Sequence, residues 1–210
     1  MLCLTEILRE HASILVLDAA SLRIQAGVLS ADGSSRWATG EDEAGIAVFR
    51  CVEQLEVELA DVGAFVFCEG PGSILGIRTV AMAIRTWLTL KPRPAFAYGS
   101  LALVAHAIGK TDVTVIADAR RDTWHSQRIG TPLHRVSVDE LTGELITPEP
   151  IRRWSNLPSG IAFTDYAVEH LVSSTTDTPL YRPVTAPDAF LHQEPNFVAW
   201  HPKVHRAAAN

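Results

Sequence analysis

Short apolar runs recur along this chain, and each ends on an acidic residue. Ile14-Leu15-Val16-Leu17 stops at Asp18, Ala64-Phe65-Val66-Phe67-Cys68 at Glu69, and Val113-Thr114-Val115-Ile116-Ala117 at Asp118. Runs of this length without polar alternation predict strands buried on both faces. Ile24 to Leu29 and Arg36 to Thr39 predict two further strands, separated by the turn residues Ala31-Asp32-Gly33-Ser34. Between Glu41 and Leu59 the period lengthens: Val48, Cys51, Val52, Leu55 and Leu59 share one helical face, with acidic residues gathered in the first turn.

After Glu69 comes a glycine-proline turn, Gly70-Pro71-Gly72, and then Ser73, which is placed to cap a helix running to about Leu90. Ile74, Ile77, Ala81, Ile84 and Leu88 recur on its core stripe, while Arg78, Met82 and Arg85 fall on a neighbouring one. Lys91-Pro92-Arg93-Pro94 breaks the helix, Ala95 to Tyr98 is a short strand, and Ser100 is read as the cap of a helix that Gly109 closes.

The pattern then starts afresh at Val113, with strands over Thr123–Ile129 and Leu133–Val138, a Pro/Gly-rich loop with short pieces of structure from Thr142 to Pro158, a strand at Gly160–Thr164 and a short helix at Ala167–Val172. From Ser173 onward the prolines permit only short elements. Strands joined by tight turns pair antiparallel, and strands joined through helices pair parallel, so mixed sheets are expected. The organisation read from this is an N-terminal extension over 1–12, a first lobe over 13–109 and a smaller second lobe over 110–210, with the extension either attached loosely or making one helical turn against the body through Leu4, Ile7 and Leu8.

The 210 residues, 47% hydrophobic and 20% charged, suffice for a substantial core. A formal charge of -6 argues against a surface that holds nucleic acid mainly by counterion release. Cys3, Cys51 and Cys68 are odd in number and lack CxxC spacing, which points to a reducing, cytoplasmic setting. The stretch from Pro94 to Gly109 is too short to span a bilayer, and Met1 to His11 lacks the pattern of a signal peptide.

Several chemistries are open to these residues. Gly70-x-Gly72-x-x-x-Gly76 after a strand invites a dinucleotide reading, but the next strand carries no terminal acidic residue for a ribose, and no Lys-Ser or Lys-Thr follows as in a P-loop. Asp18 and Asp118 end the first strand of each lobe, as in two-lobed phosphotransferases, yet Ala19-Ala20-Ser21 and Ala119-Arg120-Arg121 put side chains where phosphates need bare backbone. A ribonuclease H-type nuclease would need a metal-holding carboxylate cluster, for which Asp18, Glu53 or Glu56, and Glu69 are candidates. Cys68 could be a nucleophile only with a histidine such as His106 or His125 in reach. His201 and His205, four apart, lack the central Glu of a zinc protease motif.

Gly70-Pro71-Gly72-Ser73-x-x-Gly76-x-Arg78 and Asp118-Ala119-Arg120-Arg121 together resemble the motifs of the bacterial TsaB family, formerly called YeaZ and often labelled glycoprotease, from Ile14 to about Lys203. The first looks like the family's GPGSFTGxR and the second like its DAR segment. Pro195 to Trp200 sits where that family has its closing proline-tyrosine segment. Ile74 and Leu75 stand in place of the family's Phe and Thr, Asp18-Ala19-Ala20 in place of its Asp-Thr-Ser, Thr123 about where it has a Glu, and Glu41-Asp42-Glu43 where it has a histidine.

The resemblance implies a two-lobed actin-like (ASKHA, ribonuclease H-like) α/β fold, each lobe a mixed sheet with helices, and no catalysis of its own. It also implies a cytoplasmic partner of a TsaD-like protein and a TsaE-like ATPase in threonylcarbamoylation of the adenosine beside the tRNA anticodon. On that pattern the chain pairs with itself when alone and meets tRNA only indirectly. It binds no cofactor alone, ATP and magnesium entering only through the partner complex. Pairing through first-lobe helices would use Ile74, Leu75, Arg78, Met82 and Arg85, where a Met flanked by Arg suits an interface. A homodimeric interaction module without a part in tRNA chemistry is the remaining alternative.

Overall fold

The computed structural model of this chain describes residues 1–190. Its elements in order are α1 (Leu4–His11), β1 (Ser13–Asp18), β2 (Ile24–Ser30), β3 (Ser35–Gly40), α2 (Ala44–Gln54), β4 (Ala64–Gly70), α3 (Ile74–Leu90), β5 (Ala95–Gly99) and α4 (Ser100–Ile108). The second half adds β6 (Val113–Asp118), β7 (Thr123–Gln127), β8 (His134–Ser137), β9 (Glu144–Glu149), β10 (Ala162–Asp165), α5 (Val168–Ser173) and β11 (Arg182–Val184).

Two mixed sheets result, and they repeat one plan. In the first, β1 pairs antiparallel with β2 and parallel with β4, giving the order β11-β5-β4-β1-β2-β3. In the second, β6 pairs antiparallel with β7 and parallel with β9, giving β10-β9-β6-β7-β8. Each half therefore has a three-strand meander followed by two parallel additions, the repetition that the apolar runs at Ile14 and Val113 announced. The last described strand, β11, returns to the first sheet, where it pairs antiparallel with β5.

Apolar burial divides into two bodies. One lies between the first sheet and α2 and α3, and includes Leu15, Leu17, Val48, Phe65, Phe67, Val80 and Ile84. The other spans both lobes: Val16 and Val66 from the first sheet meet Leu101 and Val104 of α4, Val113 and Val115 of β6, and Val168 and Leu171 of α5. Within these two bodies α2 and α3 cover the first sheet on one side, and α1, α4 and α5 belong to the body between the lobes.

Four local expectations change. The N-terminal segment is no loose extension: Leu4 and Ile7 are fully buried, the Cys3 amide donates to the Glu6 carboxylate at 2.8 Å, and Leu2 bridges to Tyr181. Helix α2 ends at Gln54 because Glu56 takes a left-handed φ of 48°, and the acidic residues Glu41-Asp42-Glu43 precede it rather than fill its first turn. Ser100 does not cap α4: Gly99 is the capping residue, and the Ser100 hydroxyl donates instead to the Pro71 carbonyl at 2.5 Å. The stretch from Thr142 to Pro158, expected to be loop with only short pieces of structure, contains β9, an interior strand of the second sheet.

Because Leu4 is sealed against the shared core, Leu4→Ala is expected to destabilise the whole chain by about 3 kcal/mol rather than to fray its first residues. Urea unfolding followed by circular dichroism tests this: a loss below about 0.5 kcal/mol would mean that α1 is peripheral.

Candidate functional site: the first turn, its glycine clamp and the outer helix face

Strand β1 delivers Asp18 to a fully buried position between the lobes. Its Oδ2 accepts hydrogen bonds from the Tyr98 hydroxyl at 2.6 Å and the Tyr166 hydroxyl at 2.8 Å, and its Oδ1 accepts from the Ala20 amide at 2.8 Å. Tyr98 comes from β5 and Tyr166 from the link between β10 and α5, so one carboxyl ties three segments together. Burial pushes its pKa up; the hydroxyls of Tyr98 and Tyr166 and the Ala20 amide oppose that rise without cancelling it. The neighbouring Cys68 thiol, 3.8 Å from the Tyr166 hydroxyl, is pushed well up by burial and by the Asp18 charge, the reverse of what a nucleophile needs.

The glycine motif is pressed against the turn that follows Asp18. The Ser73 amide donates to the Ala20 carbonyl at 2.8 Å. A Cβ on Gly72 would lie 2.4 Å from the Ala20 oxygen, and one on Gly76 would lie 2.4 Å from the Ala19 oxygen. These two positions are therefore glycine for close backbone approach, and the motif's partner is the chain's own first turn. That packing leaves Ala19 and Ala20 buried. Ser73 does cap α3, its hydroxyl accepting from the Gly76 amide at 3.5 Å.

The second lobe repeats the carboxylate but not its surroundings. Asp118 accepts from the backbone amides of Trp154 and Arg120, each at 2.6 Å, and of Ser155 at 2.5 Å. Burial raises its pKa, but these amides outweigh burial and the carboxyl sits below its ordinary range. Ala119 and Arg120 continue into a turn in which Arg120, Arg121 and Asp122 have φ of 65°, 54° and 54°.

The nuclease constellation does not assemble. Asp18 is enclosed by its tyrosines, Glu53 and Glu56 are exposed on and just past α2, and Glu69 forms a two-pronged ion pair with Arg182. Among the described residues no group of His, Cys, Asp and Glu stands close enough to hold a metal ion. His201, His205 and the Pro195–Trp200 segment lie outside the described residues.

The outer face of α3 carries the apolar surface. Leu75 is 77% and Met82 56% exposed, Ile74 is exposed rather than on the core stripe, and Arg78 and Arg85 are exposed beside them. The buried face is instead Gly76, Ile77, Val80, Ala81, Ala83, Ile84 and Trp87. Helix α2, packed alongside, adds exposed Ile46 and Phe49, the latter edge-on to Trp87 at 6.2 Å. An open cleft of about 1100 Å³ runs past this face, with Leu75, Gly76 and Thr79 on one side, the start of α2 on another, and Arg23, Glu149 and Arg152 across it.

The paired meander-plus-parallel sheets define a two-lobed actin-like α/β protein. Two solved structures share this arrangement. YeaZ from Pseudomonas aeruginosa matches at a TM-score of 0.61 and 19% identity, over 78% of this chain and 90% of that one. An uncharacterized protein with similarity to peptidase YeaZ, from Pseudomonas aeruginosa, matches at 0.61 and 19%, over 78% and 89%. The fold is thus YeaZ-like across most of both chains. No protein-family model matches the sequence, and no curated protein matches it. Among the described residues no helix is long and apolar enough to cross a membrane.

Two substitutions test the clamp and the buried carboxyl. Gly76→Ala should cost about 2 kcal/mol or more in thermal or urea unfolding, because its methyl meets backbone. Gly45→Ala, with open space at its Cβ, should be neutral or slightly stabilising; equal effects would refute the close approach. For Asp18, a raised folded pKa means that the cost of its charge is absent below the unfolded value of about 3.9 and accumulates as pH rises through the folded pKa. Asn does not titrate, so the melting temperature of Asp18→Asn minus that of the native chain should climb as pH rises from about 4. A difference that stays level or falls contradicts the assignment.

Proposed function

We propose that this chain is a TsaB-like scaffold subunit without catalysis of its own. It docks a TsaD-like protein through the outer face of α3, pairs with a second copy of itself when alone, and acts in the cytoplasm with a TsaE-like ATPase in tRNA threonylcarbamoylation. ATP and magnesium enter only through that complex, and tRNA is reached through the partner.

The observation that carries the reading is the exposed stripe itself, Leu75 and Met82 flanked by Arg78 and Arg85, on a helix whose other side is core. Leu75 left 77% and Met82 56% in water on α3, with Ile46 and Phe49 exposed on the adjoining helix, put large apolar side chains on the surface of the kind that marks interaction sites. Arginine and methionine are enriched in such contacts, and Met82 adapts its shape to either occupant.

Two further features support a scaffold over an enzyme. Asp18 spends its oxygens on Tyr98, Tyr166 and Ala20, and the glycine motif grips the first turn from outside. Rigidity at the root of α3 holds the stripe in one orientation, which lowers the ordering cost of association. The YeaZ-like fold agrees with this role.

Leu75→Glu or Met82→Glu is expected to weaken self-association and capture of the TsaD-like protein by tenfold or more, because a charge enters a desolvated contact. Folding should be unchanged, since both side chains are already exposed. Size-exclusion chromatography with light scattering, alone and with the partner, reads both effects. Native-like mass and full capture in both variants would eliminate this face. Rescue of a TsaB-depleted bacterium by the native chain, and not by Leu75→Glu, would tie the contact to the modification.

A further inference from the structure

The second sheet carries a surface that the scaffold reading leaves unused. Trp154 and Phe163 are exposed at 51% and 53%, and each has a guanidinium on its ring: Arg120 lies 4.3 Å from the centre of Trp154 and Arg153 lies 5.6 Å from that of Phe163. Arg121 and Arg152 are exposed next to them in sequence. We propose that this arginine-aromatic surface binds single-stranded nucleic acid, with bases stacking on Trp154 and Phe163 and phosphates meeting Arg121 and Arg152.

The charge arithmetic favours a polyanion in spite of the chain's net charge of -6. The carboxylates in this neighbourhood are largely spent: Asp118 on backbone amides, Glu149 on Arg153 at 2.9 Å, and Asp165 on Arg23 at 2.5 Å. Among the described residues Arg121 and Arg152 have no ion-pair partner. Exposed Asp122 beside Arg121 and charged Asp118 offset part of this, and with Arg120 on Trp154 the arginines outnumber these two carboxylates at the aromatics. Every base offers a π face, and a half-exposed indole braced by arginine is a platform for one.

The platform is built in advance. Asp118 accepts from the amides of both Arg120 and Trp154, so one carboxylate holds the two members of the stack in register. Arg135 donates to the Ala119 carbonyl at 2.9 Å and braces the turn that presents Arg120 and Arg121. Asp118 is thus a positioning residue, which gives the Asp-Ala-Arg motif a physical task that nucleotide hydrolysis does not require.

This goes beyond the scaffold reading, in which nucleic acid is met only through the partner, and it uses none of the α3 residues. The test is fluorescence anisotropy of a labelled single-stranded oligonucleotide of about 12 residues, as RNA and as DNA of the same sequence, at about 50 mM salt and above. The full chain should bind saturably, and Trp154→Ala should weaken binding roughly tenfold. The double variant Arg121→Ala/Arg152→Ala should flatten the slope of log K against log salt by about 1.4. Arg36→Ala, on the edge strand β3 of the first sheet, should bind as the native chain does. A preference between the RNA and DNA arms identifies the natural strand.

Absence of binding at low salt overturns the proposal, as does unchanged affinity in Trp154→Ala. If Trp154→Ala fails to fold, the double arginine variant decides, because those side chains are exposed and an unchanged salt slope is equally fatal. Loss of TsaD-like protein capture in Trp154→Ala, without nucleic-acid binding by the native chain, would make the surface a protein interface and also overturn it.

Discussion

Backbone-to-backbone contact between the glycine motif and the turn after Asp18 is the constraint from which the rest of this structure follows. With Gly72 and Gly76 set against the Ala20 and Ala19 oxygens, the first turn of α3 cannot shift without opening the end of β1. The Ser100 hydroxyl on the Pro71 carbonyl adds the start of α4 to the same knot. Asp18 then fastens the second half of the chain to it through Tyr166. Helix α3 is consequently fixed at its root, and its orientation decides which side chains face the sheet and which face outward.

The cost of this arrangement is a buried carboxyl, which is tolerated because two tyrosine hydroxyls and an amide replace water around it. Its counterpart Asp118 solves the same problem with backbone amides and remains close to the surface. Two strand-end aspartates that look equivalent in sequence therefore do different work. One joins lobes; the other shapes an exposed turn.

What the sequence made legible was whatever rests on local pattern. The unbroken runs at Ile14, Ala64 and Val113 are the interior strands β1, β4 and β6, and the repeat of the two lobes was visible in their spacing. Strand β9 was hidden by Pro148 and Pro150. It pairs with β6 only over Glu144–Ile146, so Pro148 falls where β10 alone is its neighbour and the missing amide is no obstacle. Helix α2 read too long because a left-handed Glu56 leaves no signature in composition, whereas a glycine would have. Ile74 kept the core spacing yet lies at the start of the helix, outward of the sheet.

The site was legible in part. The motif glycines could be picked out, but what they touch depends on a strand end more than fifty residues away in sequence, and only the fold supplies that. Tyr98 and Tyr166 carried a weak signal: each is a hydroxyl in an apolar stretch, which demands a buried partner. Hydrogen–deuterium exchange of the chain, alone and with a TsaD-like protein, tests the central claim most directly. The account predicts that peptides covering Asp18–Ala20 and Gly70–Ser73 are already slow to exchange and stay so, while new protection appears along Ile74–Thr86. Protection that instead appears over Asp18–Ala20, with Ile74–Thr86 unaltered, would contradict it.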